Sequence, residues 1–144
     1  MPRFQSLRRI ASVIPGCLCF FTGSGFADEP IAVDFENDVA TILIRRCLEC
    51  HHSAISSGGL ALDTAASFAK GGDSGPVVDP GFSPDSLLLK RIRDGEMPPP
   101  KHGMPTALPA TEVDIFQRWI AAGAEFPAGR KLDIYEQTTD LRGG

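Results

Sequence analysis

Between positions 47 and 51 the chain reads Cys-Leu-Glu-Cys-His, and this spacing constrains the fold more than any other stretch. On a helical turn, residues three and four apart share a face. Cys47, Cys50 and His51 can therefore address one partner while Leu48 and Glu49 face elsewhere. Two thiols that each add across a vinyl group, with an imidazole reaching the iron from the same side, are what attachment of a c-type haem needs. The motif thus predicts one covalent haem c, bound through Cys47 and Cys50, with His51 as the proximal iron ligand. A chain built this way must fold around a large, flat and mostly apolar disc.

Cys-x-x-Cys without the histidine would be ambiguous, because it also occurs in thioredoxin-like redox sites and as half of many zinc sites. The redox site belongs in a βαβ context, and no alternation of strand and helix patterns surrounds positions 47–50. A structural zinc needs four protein ligands. Cys47, Cys50, His51 or His52, and His102 could supply them, so a zinc-stabilised binding module is a competing reading. A Cys47–Cys50 disulfide suits an oxidising compartment but leaves the adjacent histidine without a role.

At 144 residues the chain has room for one well-buried domain and not for two. Residues 1–27 read as an export signal, with Arg3, Arg8 and Arg9 in a positive n-region, a mostly apolar run from Ile10 to Phe21, and small residues Gly25 and Ala27 at the −3 and −1 positions. The run is interrupted by Pro15 and Gly16 and is too short to span a bilayer, so no integral span is expected after cleavage. Two variants stay open: Arg8-Arg9 weakly resembles a twin-arginine signal without the apolar pair expected after it, and Ile14-Pro15-Gly16-Cys17 faintly resembles a lipoprotein cleavage site after a short apolar run. Cleavage before Asp28 predicts a periplasmic or otherwise exported protein. It also removes Cys17 and Cys19, leaving only the motif cysteines. Three arginines and no acid leave with the signal, so the formal charge of −4 becomes −7. That charge speaks against nucleic acid as a partner and favours a redox protein with a basic patch, in an encounter that salt weakens.

In the mature chain Phe35, Val39, Ile42 and Leu43 recur at helical spacing and lead into Cys47, with Asp34 or Asn37 as N-cap. From Ser53 to Pro84 the composition shifts to Gly, Ser, Asp and Pro, which predicts loop with at most a short helix near Ala65–Lys70. Gly71-Gly72-Asp73-Ser74-Gly75 lacks the lysine and hydroxyl of a P-loop and reads as a flexible turn. Ser83-Pro84 offers a cap and first-turn proline for a helix through Leu87, Leu88 and Ile92 that stops at Gly95. A last helix starts near Pro109 or Thr111, carries the stripe Val113, Phe116, Ile120 with Trp119 on its flank, and ends at Gly123. The expected domain spans residues 34–127. Residues 128–144 are polar and weakly patterned and read as a tail or linker.

An iron used for electron transfer commonly carries a second axial ligand, and a thioether favours Fe(II) and raises the potential. Met97 and Met104 are the candidates. Met97 is favoured, because it precedes Pro98-Pro99-Pro100, where fixed φ angles stiffen the chain. His102 would give a bis-histidine iron of lower potential, and His52 reads as a solvated neighbour of the proximal ligand.

With these residues in place, the chain resembles the cytochrome c family, and within it the planctomycete-type cytochrome c domain. The likeness runs from about Phe35 to Pro127 through Cys47-x-x-Cys50-His51, Gly58-Gly59-Leu60-Ala61-Leu62-Asp63-Thr64, Gly71–Pro76, Ser86-Leu87-Leu88, Met97-Pro98-Pro99 and Trp119–Ala124. The resemblance implies an all-α cytochrome c-like fold, with about three main helices and long loops around a covalent haem, and the first and last helices packed across each other. It also implies His51 and Met97 as axial ligands, one-electron transfer without catalysis of the chain's own, and larger domains that accompany this module in relatives. Pro100–Met104 is a departure, being extra chain before the last helix. A haem sensor or accessory redox domain of a larger enzyme is the alternative role, although no distal acid/base pair is evident.

Overall fold

The computed structural model describes residues 32–79 and 85–136. The expected export signal, the Ser83-Pro84 helix start and positions 137–144 lie outside the described residues. Within them the protein is helical and has no strand, only isolated backbone bridges.

The first helix, α1 (35–47), is capped by Asp34, whose carboxylate accepts the Asn37 N–H at 2.7 Å. Two of its stretches, Phe35–Ala40 and Leu43–Cys47, are wound with i→i+5 hydrogen bonds. The last of these bonds runs from the Leu48 N–H to the Leu43 carbonyl at 2.9 Å. Such widened turns often accompany functional sites, and this one ends on Cys47. A short 3₁₀ turn, Ser57–Gly59, is followed by α2 (Ala65–Lys70). Thr64 and Ser67 cap α2 reciprocally.

Helix α3 covers Leu87–Arg93, follows Ser86, and stops before Gly95 with φ 71° as its composition predicts. Helix α4 covers Ala110–Ala121 and packs on α1 and α3. Its buried face is Phe116, Trp119 and Ile120. Trp119 is therefore core and not flank: it is 3% exposed, donates its indole N–H to the Glu125 carbonyl at 3.0 Å, and has Phe35, Phe68 and Phe116 as ring neighbours at 6.1, 5.3 and 6.3 Å. Tilted rings at these separations are favourable beyond their buried area. The cluster fastens α1, α2 and α4 together, and a bidentate Arg46–Glu112 pair at 3.0 and 3.1 Å ties α1 to α4 on the outside.

Two stretches depart from their expected character. Gly71–Gly75 is a packed turn, in which Gly72 and Gly75 exchange backbone hydrogen bonds at 3.1 and 2.9 Å and the Asp73 N–H reaches the Gly58 carbonyl at 2.8 Å. A Cβ on Gly72 would stand 2.8 Å from that carbonyl, so close approach of two backbones accounts for the glycine. Past Pro127, where a linker is expected, the chain stays on the domain. Leu132 is 2% exposed in the core, and Thr64 and Lys131 form a backbone bridge.

Asp63 joins these parts. Its carboxylate accepts from the Ser53 N–H at 3.1 Å, the Ser53 hydroxyl and the Ser67 hydroxyl at 3.2 Å, while its carbonyl accepts from the Leu132 N–H at 2.8 Å. Burial pushes the carboxyl pKa up, but the bonds from Ser53 and Ser67 outweigh it and hold Asp63 below the usual carboxylate range. A depressed folded-state pKa stabilises the protein above the unfolded pKa of ~3.9, and that stabilisation fades as pH falls through the folded value. Asp63→Ala is expected to cost about 2–3 kcal/mol at pH 7, as removal of hydrogen bonds to a buried charge does. Thermal melts at pH 7 and pH 3 check this: the gap between wild type and variant should narrow in acid.

Candidate haem site

The predicted attachment residues are assembled by one turn of chain. Cys47 closes α1, and its carbonyl accepts from the Cys50 N–H at 3.2 Å and the His51 N–H at 3.0 Å. Those bonds give the three side chains the common face that the spacing predicts. Beyond the turn, the His51 carbonyl accepts from the Leu62 N–H at 2.9 Å and the Cys50 carbonyl from the Ser57 N–H at 3.0 Å, so the following loop folds back onto the motif.

Cys47, Cys50 and His51 line a cavity of about 300 Å³ whose apolar wall includes Leu60, Leu62, Val77, Leu88, Ile92 and Leu108. The turns around Gly58 and Gly72–Gly75 form another side. Met97 and the two prolines after it complete the lining. Met97 is held there through its backbone: the Arg91 carbonyl at the end of α3 accepts from both the Glu96 and Met97 N–H groups, at 3.0 and 3.1 Å.

The other candidate ligands are elsewhere. Lys101 and Met104 pair their backbones across a tight turn with His102 (φ 51°) and Gly103 (φ 77°) at its tip. Met104 is 67% exposed, and neither it nor His102 lines the cavity. His52 Nδ1 accepts from the Ala54 N–H at 3.1 Å in the next turn. Among the described residues no group of three or more His, Cys, Asp and Glu side chains comes together to hold a metal ion, so the four-ligand zinc reading has no ligand set.

The donor set fits a c-type haem. Both thiols are free, and burial pushes Cys47 up to about 12, so it stays protonated at neutral pH. A neutral thiol suits this apolar wall, and two such thiols beside an imidazole are the donor set that haem attachment uses. His51 Nδ1 is buried with no hydrogen-bond partner among the described residues. An unpaired buried nitrogen costs about 1–3 kcal/mol, so His51 is placed here at the expense of stability.

Sequence reasoning missed the cavity wall contributed by Leu60, Leu62 and Gly72, although Gly58–Thr64 and Gly71–Pro76 are segments that carry the family likeness. It also missed Thr106, whose hydroxyl hydrogen bond is shared between the Pro98 and Pro99 carbonyls at 2.9 and 2.8 Å. No motif marks that residue.

No helix among the described residues is long and apolar enough to cross a membrane. Comparison with curated proteins gives no match, and comparison with solved structures gives none either. A family model described as Planctomycete cytochrome C matches residues 47–101, from the first motif cysteine to the lysine beyond the proline run. This stretch, with its Cys-x-x-Cys-His turn and its Met-Pro-Pro segment lining one cavity, is similar to a planctomycete-type cytochrome c domain.

Proposed function

We propose that the protein is an exported, mono-haem electron-transfer module, with haem c joined to Cys47 and Cys50 and with His51 and Met97 as axial ligands. The observation that carries this reading is the convergence of those four side chains on one apolar cavity. Bound there, the haem supplies an iron that accepts and releases one electron. The chain's own contribution is burial, orientation and ligand choice. The turn at 47–51 sets the two sulfurs and the imidazole side by side, the leucine and isoleucine wall excludes water, and the Arg91 carbonyl anchors the backbone of Met97.

The ionic residues at the cavity are Arg46, Glu49, Arg91 and Lys101, and the three cations are paired, Arg46 with Glu112, Arg91 with Glu96 and Lys101 with Glu49. Long-range steering then comes from the overall acidic balance, and the partner is a redox protein with a basic patch. Association is expected to weaken as salt rises past the ~10 Å Debye length of 0.1 M solution.

Absorption spectra of the exported protein, oxidised and dithionite-reduced, beside a haem stain on a denaturing gel, test the proposal. Haem that survives denaturation, sharp reduced α and β bands, and an oxidised charge-transfer band at ~700 nm are expected of His/thioether iron. A colourless protein, or haem that no reductant reduces, would refute it.

A further inference from the structure

The extra chain between the proline run and α4 has a job that the ligand assignment alone does not give it. Residues 101–104 close a tight turn through reciprocal Lys101–Met104 backbone bonds at 3.1 and 2.9 Å. The turn reverses the chain so that Thr106 lies against the segment it has just left. Its hydroxyl then donates one hydrogen bond shared between the carbonyls of Pro98 and Pro99, at 2.9 and 2.8 Å. At the start of the same turn the Lys101 ammonium pairs with Glu49, which sits between the two motif cysteines. The stretch that follows Met97 is thus fastened twice, once to itself through Thr106 and once across the cavity mouth to the attachment motif.

We infer that this turn is a latch for the sixth ligand, with Thr106 as its principal positioning residue and the Lys101–Glu49 pair as a weaker, salt-sensitive second tie. The inference rests on the proposed His51/Met97 ligation. Met97 lies in the loop after α3, tied there only by its N–H bond to the Arg91 carbonyl at 3.1 Å, so its placement depends on the strap that carries it. A competing ligand binds iron only in the fraction of molecules whose strap is open, and its apparent affinity scales with that fraction. Weakening the latch therefore strengthens binding of an external ligand without touching the iron's own donors. Thr106 is the more effective tie because it is half-buried and shields its hydrogen bond, whereas the Lys101–Glu49 pair is exposed on both sides.

The test is imidazole titration of the oxidised, haem-loaded full chain, followed through loss of the ~700 nm band. Thr106→Val keeps the branched shape and removes the donor; it is expected to tighten imidazole binding roughly five- to tenfold, and Thr106→Ser to restore the wild-type value. Lys101→Ala is expected to tighten it about two- to fivefold at low salt, with no effect in ~1 M salt, where the pair is already screened in wild type. A merely structural role for Thr106 would lower the melting temperature and leave imidazole affinity unchanged, and that result overturns the latch. Met97→Ala separates the two levels of the claim. If it keeps the ~700 nm band, Met97 is not the thioether ligand and the latch falls with that assignment. If it loses the band while Thr106→Val titrates like wild type, only the latch fails.

Discussion

Met97→Ala is expected to abolish the ~700 nm band of the oxidised protein, shift the iron away from fully low-spin, and lower the midpoint potential. The direction of the potential change follows from ligand softness: a thioether stabilises Fe(II), and water or an empty position in its place does not. Its size should be on the order of 0.1 V, a fraction of the ~0.8 V range over which axial ligands tune haem proteins. The effect should be large because no substitute is within reach. Among the described residues Met97 alone of the methionines lines the cavity, and Met104 and His102 sit on the far side of a closed turn. Spectroelectrochemistry of wild type and variant checks both readouts. An unchanged spectrum would show that Met104 and not Met97 supplies the thioether, whereas loss of the band with retained low-spin character would point to His102.

The site was legible in the sequence where its parts are neighbours along the chain. Cys47, Cys50 and His51 need only one turn to meet, and the hydrogen bonds from Cys50 and His51 to the Cys47 carbonyl are such a turn. The apolar stripe of α4 and the Gly95 stop of α3 are equally local. What the sequence hides is tertiary. Trp119 follows the stripe by position, yet rings contributed by α1, α2 and α4 decide that it is buried. Gly71–Gly75 has the composition of a flexible turn, and only the approach of the Gly58 carbonyl shows why no larger residue fits at Gly72. Thr106 is a lone hydroxyl in a proline-rich stretch, and its partners become visible only once the 101–104 turn is formed.

The segment after Pro127 shows the same limit, and it gives the largest expected change in stability. Ending the chain at Pro127 is expected to destabilise the domain by about 4 kcal/mol or more, although the lost residues read as a polar linker. One leucine accounts for most of the cost. Burial of Leu132, at 2% exposure, is worth about 2–5 kcal/mol by the usual cost of emptying a core leucine site. Its N–H bond to the Asp63 carbonyl at 2.8 Å adds roughly 1 kcal/mol. Arg130 adds a smaller share by pairing with Glu36 at the start of α1 at 2.9 Å and with Glu136 in its own segment. The Leu132 bond reaches Asp63, which follows the cavity-lining Leu62 and holds Ser53 just beyond the Cys47–His51 turn. Truncation should therefore loosen the loop behind His51 as well as the core. Leu132→Ala in the full-length chain isolates the apolar contribution and should account for at least half of the loss. Denaturant melts of the two variants provide the measurement, and a truncated chain as stable as the full one would show that residues 128–136 only rest on the domain.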